Sequence, residues 1–416
     1  MKYLVAALVF FLSLAAAACV LLLLSAACDR GHSRDVDVPL GWDGATNADA
    51  VRKWSRESVE SVPRWKVEEA PLVERVPNAV EAALTGREQR YPSDATFLLD
   101  GRIVLYYYVS DYSEPDSILL RILDPGSGEE TRVPAPKGDD GRSLEWVHFD
   151  LVTRDGRIIL MGDNQPALSR RQGEDIWWAD GDGRFIGPPS STHMEGILLG
   201  VFRDQSLAVM GHSVVMDTML LSPASVVYPV KAGHDPADAR AEEVLVTTAM
   251  PRDPAGASRS APSWIPRPAF TSGMSGDTIW LMPTEKPELY AVDRSGNIVL
   301  KVEWEAGDRS IPPGAPDFWE GADRFPAAVS LMVGADGLIY IETVAVLEGR
   351  PARDAEWLVF SPAGELMARL DVGGRFPSFD VLAFGDGALV ATVWDEDTSL
   401  THVEVYRFRK SGQGSR

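Results

Sequence analysis

Residues Leu289–Val302 read Leu-Tyr-Ala-Val-Asp-Arg-Ser-Gly-Asn-Ile-Val-Leu-Lys-Val, and this stretch decides the fold. Two apolar runs flank the turn Asp293–Gly296. An Asp at the first position of a turn can accept a hydrogen bond from the backbone that follows it, and a Gly at the last position tolerates left-handed geometry. The stretch therefore predicts a strand, a tight turn and a return strand.

The same kind of hairpin recurs along most of the chain, at intervals of roughly 50 to 70 residues. Its turns fall at corresponding places: Gly101, Gly156, Asp204, Asp277, Gly337 and Gly387. The period is too long for a parallel β-helix, and a β-sandwich would not repeat this often. Units of about four short strands, repeated about six times, predict an all-β protein that forms a single six-bladed β-propeller.

The propeller is predicted to occupy residues 63–410, after a signal peptide (1–27) and a polar tether (28–62) and before a disordered tail (411–416). Within the tether, Asn47–Ser58 is predicted to form a short helix capped by Asn47. Ordered structure is expected to start near Pro63. Because a propeller is circular, we expect Trp65–Leu72 to lie beside the last strand, His402–Phe408.

The composition of the 416 residues excludes some classes of function. The formal net charge is -21, which argues against a nucleic-acid partner, because such partners need a basic face. The only two cysteines are Cys19 and Cys28. The predicted propeller therefore has no disulfide framework, no thiolate metal site and no cysteine nucleophile.

The N-terminus has the pattern of an export signal. Lys2 precedes an apolar run from Leu4 to Ala27 that ends in small residues. The segment before Cys28 resembles the lipobox of bacterial lipoproteins, although Ser25 stands where that family prefers an aliphatic residue. The resemblance implies lipid attachment at Cys28 and a body at the cell envelope, outside the cytoplasm. An uncleaved membrane anchor and simple secretion are the alternatives.

The stretch from Arg267 to Arg407 resembles a bacterial six-bladed β-propeller family of the NHL/TolB-like kind. The motifs that carry the resemblance are Gly276–Trp280, Tyr290–Gly296, Trp357–Gly364, Val393–Asp397 and Val403–Arg407. The region from Gly187 to Pro266 matches that family poorly. These motifs specify blades and not a reaction, so the resemblance implies the fold, an exported or lipid-anchored location and a binding role.

The motifs that would indicate an enzyme or a cofactor site are missing from the sequence. Gly273–Gly276 fails as a nucleophile elbow because Gly follows the serine at once. The histidines are scattered, and Asp180–Gly183 lacks the later ligands of a calcium loop, so it is predicted to be a hairpin turn. No catalytic, cofactor-binding or metal-binding residue is predicted. Phe318 and Trp319, in a loop rich in Pro and Gly, are the candidate partner-binding residues.

The sequence as a whole predicts a non-enzymatic binding or scaffold module at the cell envelope. Its partner is expected to be a protein, a peptide or a glycan, and the chain itself is expected to be a monomer. The alternative is a calcium-dependent hydrolase or lactonase, because some six-bladed propellers that this chain resembles hold calcium in the central channel. No cofactor is predicted under the first hypothesis, and calcium is the cofactor under the second.

Overall fold

The computed structural model describes residues 50–76, 92–107, 118–134, 149–162, 175–186, 190–191, 196–204, 206–217, 220–231, 246–249, 270–284, 286–294, 297–311, 324–347, 350–372, 379–395 and 400–409. These residues form strands, apart from turns, connecting residues and the helix α1 (Arg56–Ser61). Within these ranges, no helix has the length and apolar character needed to cross a membrane. The described part of the chain is all-β, as its hairpin pattern predicts.

The strands follow one another along the chain in this order: β1 (Val51–Trp54), β2 (Arg64–Val67), β3 (Val73–Val76), β4 (Pro92–Phe97), β5 (Ile103–Tyr107), β6 (Ile118–Leu123), β7 (Glu130–Pro134), β8 (Phe149–Arg154), β9 (Arg157–Gly162), β10 (Asp175–Ala179), β11 (Ser190–Ser191), β12 (Gly196–Val201), β13 (Ser206–Asp217), β14 (Leu220–Lys231), β15 (Val246–Ala249), β16 (Phe270–Ser275), β17 (Thr278–Pro283), β18 (Glu288–Val292), β19 (Ile298–Trp304), β20 (Ala328–Val333), β21 (Ile339–Leu347), β22 (Arg350–Phe360), β23 (Leu366–Asp371), β24 (Phe379–Gly385), β25 (Ala388–Asp395) and β26 (Leu400–Arg409).

Most strands belong to antiparallel meanders of four: β4–β7, β8–β11, β12–β15, β16–β19 and β20–β23. Strands β24–β26 form a further meander, which β3 completes. The first strand of each meander pairs on one side only, and we call these strands the inner strands. They lie against one another in the order β4, β8, β12, β16, β20 and β24, and β24 lies against β4. Meanders arranged around a central axis in this way are typical of a β-propeller.

Residues 50–76 form an N-terminal strap that runs along three meanders. β1 pairs in parallel with β19, β2 bridges β23 and β26, and β3 pairs with β26. The Trp65 ring stacks on Phe408 at 5.8 Å, and the backbone N–H of Leu72 donates to Val405 at 2.6 Å. The expected proximity of Trp65–Leu72 to His402–Phe408 is confirmed, since the strap supplies strands to the last meander.

The start of the strap differs from the sequence prediction. The predicted helix Asn47–Ser58 is wrong over Val51–Trp54, which form β1, and α1 begins only after Ser55, whose side chain accepts from the N–H of Ser58. Pairing with the edge of β19 overrides the local helical preference. The strap thus joins the sheets upstream of Pro63, where the sequence placed the start of ordered structure.

Buried ion pairs connect the outer strands of several meanders. Arg121 is buried and pairs with Glu130 of the neighbouring strand. Nζ of Lys301, also buried, lies 2.8 Å from Oε1 of Glu303 and 3.2 Å from Oε1 of Glu288. Removing either partner of such a pair leaves an uncompensated buried charge, which is destabilising.

Glu303 also receives an ion pair from Lys53 of the strap, at 2.8 Å, which gives a testable link between strap and sheet. Hydrogen bonds from Lys301 and Lys53 hold the pKa of Glu303 below its ordinary value, against the effect of burial. A carboxyl with a lowered pKa stabilises the folded state above its unfolded pKa of about 4.3, and this contribution is lost as the pH falls through the folded-state pKa.

We therefore expect Glu303→Gln to lower the free energy of unfolding by about 1 kcal/mol at pH 7. The loss should shrink toward zero as the pH falls through the lowered pKa of Glu303, because the wild-type carboxylate is then protonated too. Urea unfolding at a series of pH values measures this difference. Glu365→Gln, at an exposed carboxylate, is the control and should change little at any pH. A Glu303→Gln loss that stays constant from neutral to acidic pH would contradict the ion-pair account.

Candidate functional site

A cavity of about 410 Å³ lies among the inner strands. Its lining comes from all of them, at the end where each inner strand turns into the second strand of its meander, and we call this the turn end. The aliphatic part of the lining includes Leu151, Leu198, Leu199, Met332 and Leu382. The polar part includes Asp94, Thr96, Thr153, Arg154 and Asp155. The cavity therefore presents both apolar and polar groups, as ligand sites do.

Glycines allow the inner strands to approach one another closely around the cavity. A Cβ built on Gly200 would lie 2.8 Å from Met274, and one on Gly273 would lie 2.8 Å from Val333. A Cβ on Gly385 would lie 2.7 Å from the Phe97 ring. In each case the atom that would be met belongs to the next inner strand. These glycines serve close packing between strands and not a left-handed turn.

Arg154 spans three meanders at the turn end. It ends β8, and its side chain is only 17% exposed. Nη1 donates to the carbonyl oxygen of Val201, at the end of β12, and to that of Gly276 at 2.8 Å, in the turn after β16. Nη2 lies 3.5 Å from Oδ1 of Asp277 in the same turn. The guanidinium therefore reaches from β8 past β12 to the β16–β17 turn.

Two carboxylates beside Arg154 differ in how they are held. Oδ1 of Asp277 accepts the backbone N–H of Arg203 at 2.9 Å, and its Oδ2 lies 3.5 Å from Nε of Arg203. Oδ2 of Asp155 lies 3.6 Å from Nε of Arg154, too far for a hydrogen bond, and the side chain is 68% exposed. Asp155 and Gly156 both have positive φ, 51° and 73°, as an Asp-Gly hairpin turn requires. Asp277 is thus anchored to two residues, while Asp155 is loosely placed.

Further contacts join neighbouring inner strands at the turn end. Oγ1 of Thr153 donates to the carbonyl of Phe97 at 2.8 Å, and the hydroxyl of Ser275 donates to the carbonyl of Gly337 at 3.0 Å. The backbone N–H of Ala335 donates to the carbonyl of Phe384 at 3.0 Å. Because successive strands are tied at this end, the cavity walls are held in place by hydrogen bonds as well as by packing.

The residues singled out in the sequence lie elsewhere. Cys28, Phe318 and Trp319 fall outside the described residues, so their predicted roles stay predictions. His402 lies on β26, with Nε2 2.8 Å from Oε1 of Glu404, and is not part of the cavity lining. Asp180–Gly183 is a hairpin turn as predicted, since Oδ1 of Asp180 accepts two backbone N–H groups of that turn, each at 2.9 Å. In the described part of the chain, no group of three or more His, Cys, Asp or Glu side chains could hold a metal ion.

The sequence contains only a weak indication of Arg154. It stands directly before the Asp of a hairpin turn, and Arg203 occupies the corresponding position of the following repeat. The structure separates the two arginines: the Arg154 side chain is 17% exposed, and that of Arg203 is 81% exposed. The sequence could identify the position before the Asp of each hairpin turn, but it could not show which of the two arginines lines the cavity.

No model of a known protein family matches the chain, and no curated protein matches it. Among solved structures, it is similar to a putative exported protein from Bacteroides fragilis, with 9% identity, a TM-score of 0.43, and coverage of 86% of this chain and 99% of that one. It is similar to a calcium-binding protein, regucalcin, from Agrobacterium tumefaciens, with 14% identity, a TM-score of 0.34, and coverage of 82% and 96%. It is also similar to apo AztD from Citrobacter koseri, with 15% identity, a TM-score of 0.31, and coverage of 70% and 74%.

Proposed function

We propose that the protein is a six-bladed β-propeller, exported and tethered to a membrane through Cys28, and that it binds a partner at the turn end of its channel without acting on it chemically. The observation that carries the binding role is the cavity of about 410 Å³ to which every inner strand contributes. Concave sites with apolar walls and a few convergent polar groups are the usual places where proteins bind ligands.

The blade count rests on strand connectivity. Each inner strand begins one meander, and the strap supplies β3 to the last of them, so that an N-terminal and a C-terminal strand of the described chain share one blade. Shared terminal strands are a common way to close a propeller without leaving a free sheet edge. The tether and the location outside the cytoplasm rest on the sequence around Cys28.

The chemistry of the lining favours a peptide over a glycan. Glycan sites commonly present exposed aromatic faces on which sugar rings stack, and the described lining contains one aromatic residue, Phe384. That ring is buried and stacks on Tyr340 at 3.9 Å, so one of its faces is already covered. Each inner strand pairs with a strand of its meander on one side only. Aliphatic side chains beside such strands suit an apolar side chain and the polar backbone of a peptide.

A substitution at the cavity mouth tests this function. Ala335 is exposed and lines the cavity, so Ala335→Trp should block entry without disturbing the core. Peptides would be selected from a random display library against the full-length protein in lipid nanodiscs, and their affinities measured by calorimetry. We expect Ala335→Trp to weaken their binding by at least tenfold.

The control is Ala363→Trp, the same change at an exposed position in the outer turn of the same meander. It adds the same ring to the surface but lies outside the cavity lining. Selected peptides should bind it with unchanged affinity. Peptides that bind both variants as tightly as wild type would show that the cavity is not the binding site.

A further inference from the structure

Resting on the proposed function of the cavity, we propose that its ligand carries a carboxylate, which Arg154 holds, on an aliphatic body that lies against the apolar lining. Nothing in the sequence motifs assigns this role to Arg154. The proposal follows from three features of the turn end: the hydrogen-bond donors that Arg154 leaves unused, the way its charge is balanced, and the nature of the wall beside it.

Arg154 has five N–H donors, of which the described residues engage three. The two on Nη1 meet the carbonyls of Val201 and Gly276, and one on Nη2 is directed at Asp277. Within the described part of the chain, the Nε–H and the second Nη2–H have no hydrogen-bond acceptor. These two groups form one edge of the guanidinium fork, and such an edge matches the two oxygens of a carboxylate.

The charge of Arg154 is incompletely balanced by the protein. Asp277 also interacts with Arg203: its carboxylate accepts the backbone N–H of Arg203 and forms an ion pair with the guanidinium of that residue. Asp155 is the remaining carboxylate beside Arg154, and it is exposed and beyond hydrogen-bond distance of Nε. A ligand carboxylate at the Nε–Nη2 edge would therefore displace Asp155, a loosely placed competitor, and would make the two short hydrogen bonds that Asp155 does not make.

The wall beside Arg154 determines the rest of the ligand. Val152, Val333 and Leu382 line the same cavity, are only partly buried, and offer no polar side-chain group. An aliphatic group of the ligand would be buried against them while its carboxylate meets the guanidinium. Two sources have this chemistry: a free branched or straight-chain carboxylic acid, and the C-terminal residue of a peptide.

Matched acids and amides test the proposal on the unmodified full-length protein in lipid nanodiscs. The probes are 4-methylpentanoate with 4-methylpentanamide, and N-acetyl-leucine with N-acetyl-leucinamide. We expect each acid to bind at least tenfold more tightly than its amide, by calorimetry. Preference for 4-methylpentanoate would indicate a free acid as the source, and preference for N-acetyl-leucine would indicate a peptide C-terminus.

Two variants make the test specific to the guanidinium. Arg154→Lys keeps the charge but loses the fork, and should weaken acid binding by about tenfold. Asp155→Asn should strengthen acid binding, because it removes the competing charge, and Asn tolerates the left-handed backbone at this turn. Arg184→Gln is the control, since that arginine is exposed and lies outside the lining, and it should bind acids as wild type does.

The outcomes separate this proposal from the one on which it rests. If acids and amides bind equally and Ala335→Trp blocks both, the cavity is a binding site but the carboxylate assignment is overturned. If Asp155→Asn weakens acid binding, the assignment is also overturned, whatever the effect of Arg154→Lys on folding. If neither probe class binds and the selected peptides ignore Ala335→Trp, both proposals are overturned.

Discussion

A chain that ends at Glu404 is expected not to fold into a stable structure. The deletion removes the second half of β26, including Val405, Tyr406 and Phe408, all of which are buried. Loss of a buried aromatic side chain costs about 3 to 5 kcal/mol on its own, and folded domains are stable by only about 5 to 15 kcal/mol. Two such losses, with the pairing of β26 to both strap strands, should exhaust the stability of the protein.

The deletion also removes part of the pairing between the strap and the last meander. Val405 pairs with Val73 of β3, and Phe408 and Arg409 pair with Val67 and Lys66 of β2. Without these partners both strap strands lose neighbours, and the ring is left with open sheet edges. We expect the chain that ends at Glu404 to show no cooperative thermal transition and to be degraded rapidly by proteases.

A chain that ends at Arg409 is the control, because it keeps every described pairing of β26. It should melt cooperatively, close to the wild-type temperature. If the chain that ends at Glu404 also melted at the wild-type temperature, closure by the shared last meander would be wrong.

The sequence predicted the fold well because hairpins are local. An Asp-Gly turn between apolar runs fixes a strand pair within about a dozen residues, so the recurring turns from Gly101 to Gly387 could be recognised without any long-range information. The closure of the ring was predictable from topology alone. The strap was harder: β1 lies about 250 residues from its partner β19, and local preference at Asn47–Ser58 favoured a helix.

The site was largely beyond the sequence, for a physical reason. A cavity along a propeller axis is assembled from one short segment of every repeat, so no contiguous motif records it. The sequence identified the hairpin containing Arg154 but gave no reason to distinguish it from Arg203. The two arginines differ in their surroundings. The carbonyls of Val201 and Gly276 both accept from the guanidinium of Arg154, whereas the side chain of Arg203 is exposed.

Gly385→Val is expected to lower the free energy of unfolding by about 3 kcal/mol, because overpacking of a filled core forces side chains and backbone to shift. A Cβ at this position would lie 2.7 Å from ring atoms of Phe97. That ring is 4% exposed and packs among Ile103, Leu105 and Val390, so it has no space into which it can move. The measurement is urea unfolding of the purified protein.

Gly307→Val is the control, because a Cβ at Gly307 meets no atom within 4 Å and its backbone is not left-handed. It should cost little or slightly stabilise the protein, since it also restricts the unfolded chain.

A double variant makes the cause specific. Phe97→Ala alone should cost about 3 to 5 kcal/mol through the cavity it leaves.

When Phe97→Ala is also present, the side chain introduced by Gly385→Val has room. The double variant should therefore lose clearly less free energy of unfolding than the sum of the two single losses. Strict additivity would mean that the two positions do not meet, and would contradict the close approach of β24 to β4. Strands β4 and β24 are the first and last inner strands of the ring. The coupling between Phe97 and Gly385 therefore tests ring closure at the inner strands, and the deletion of β26 tests it at the outer side of the last meander.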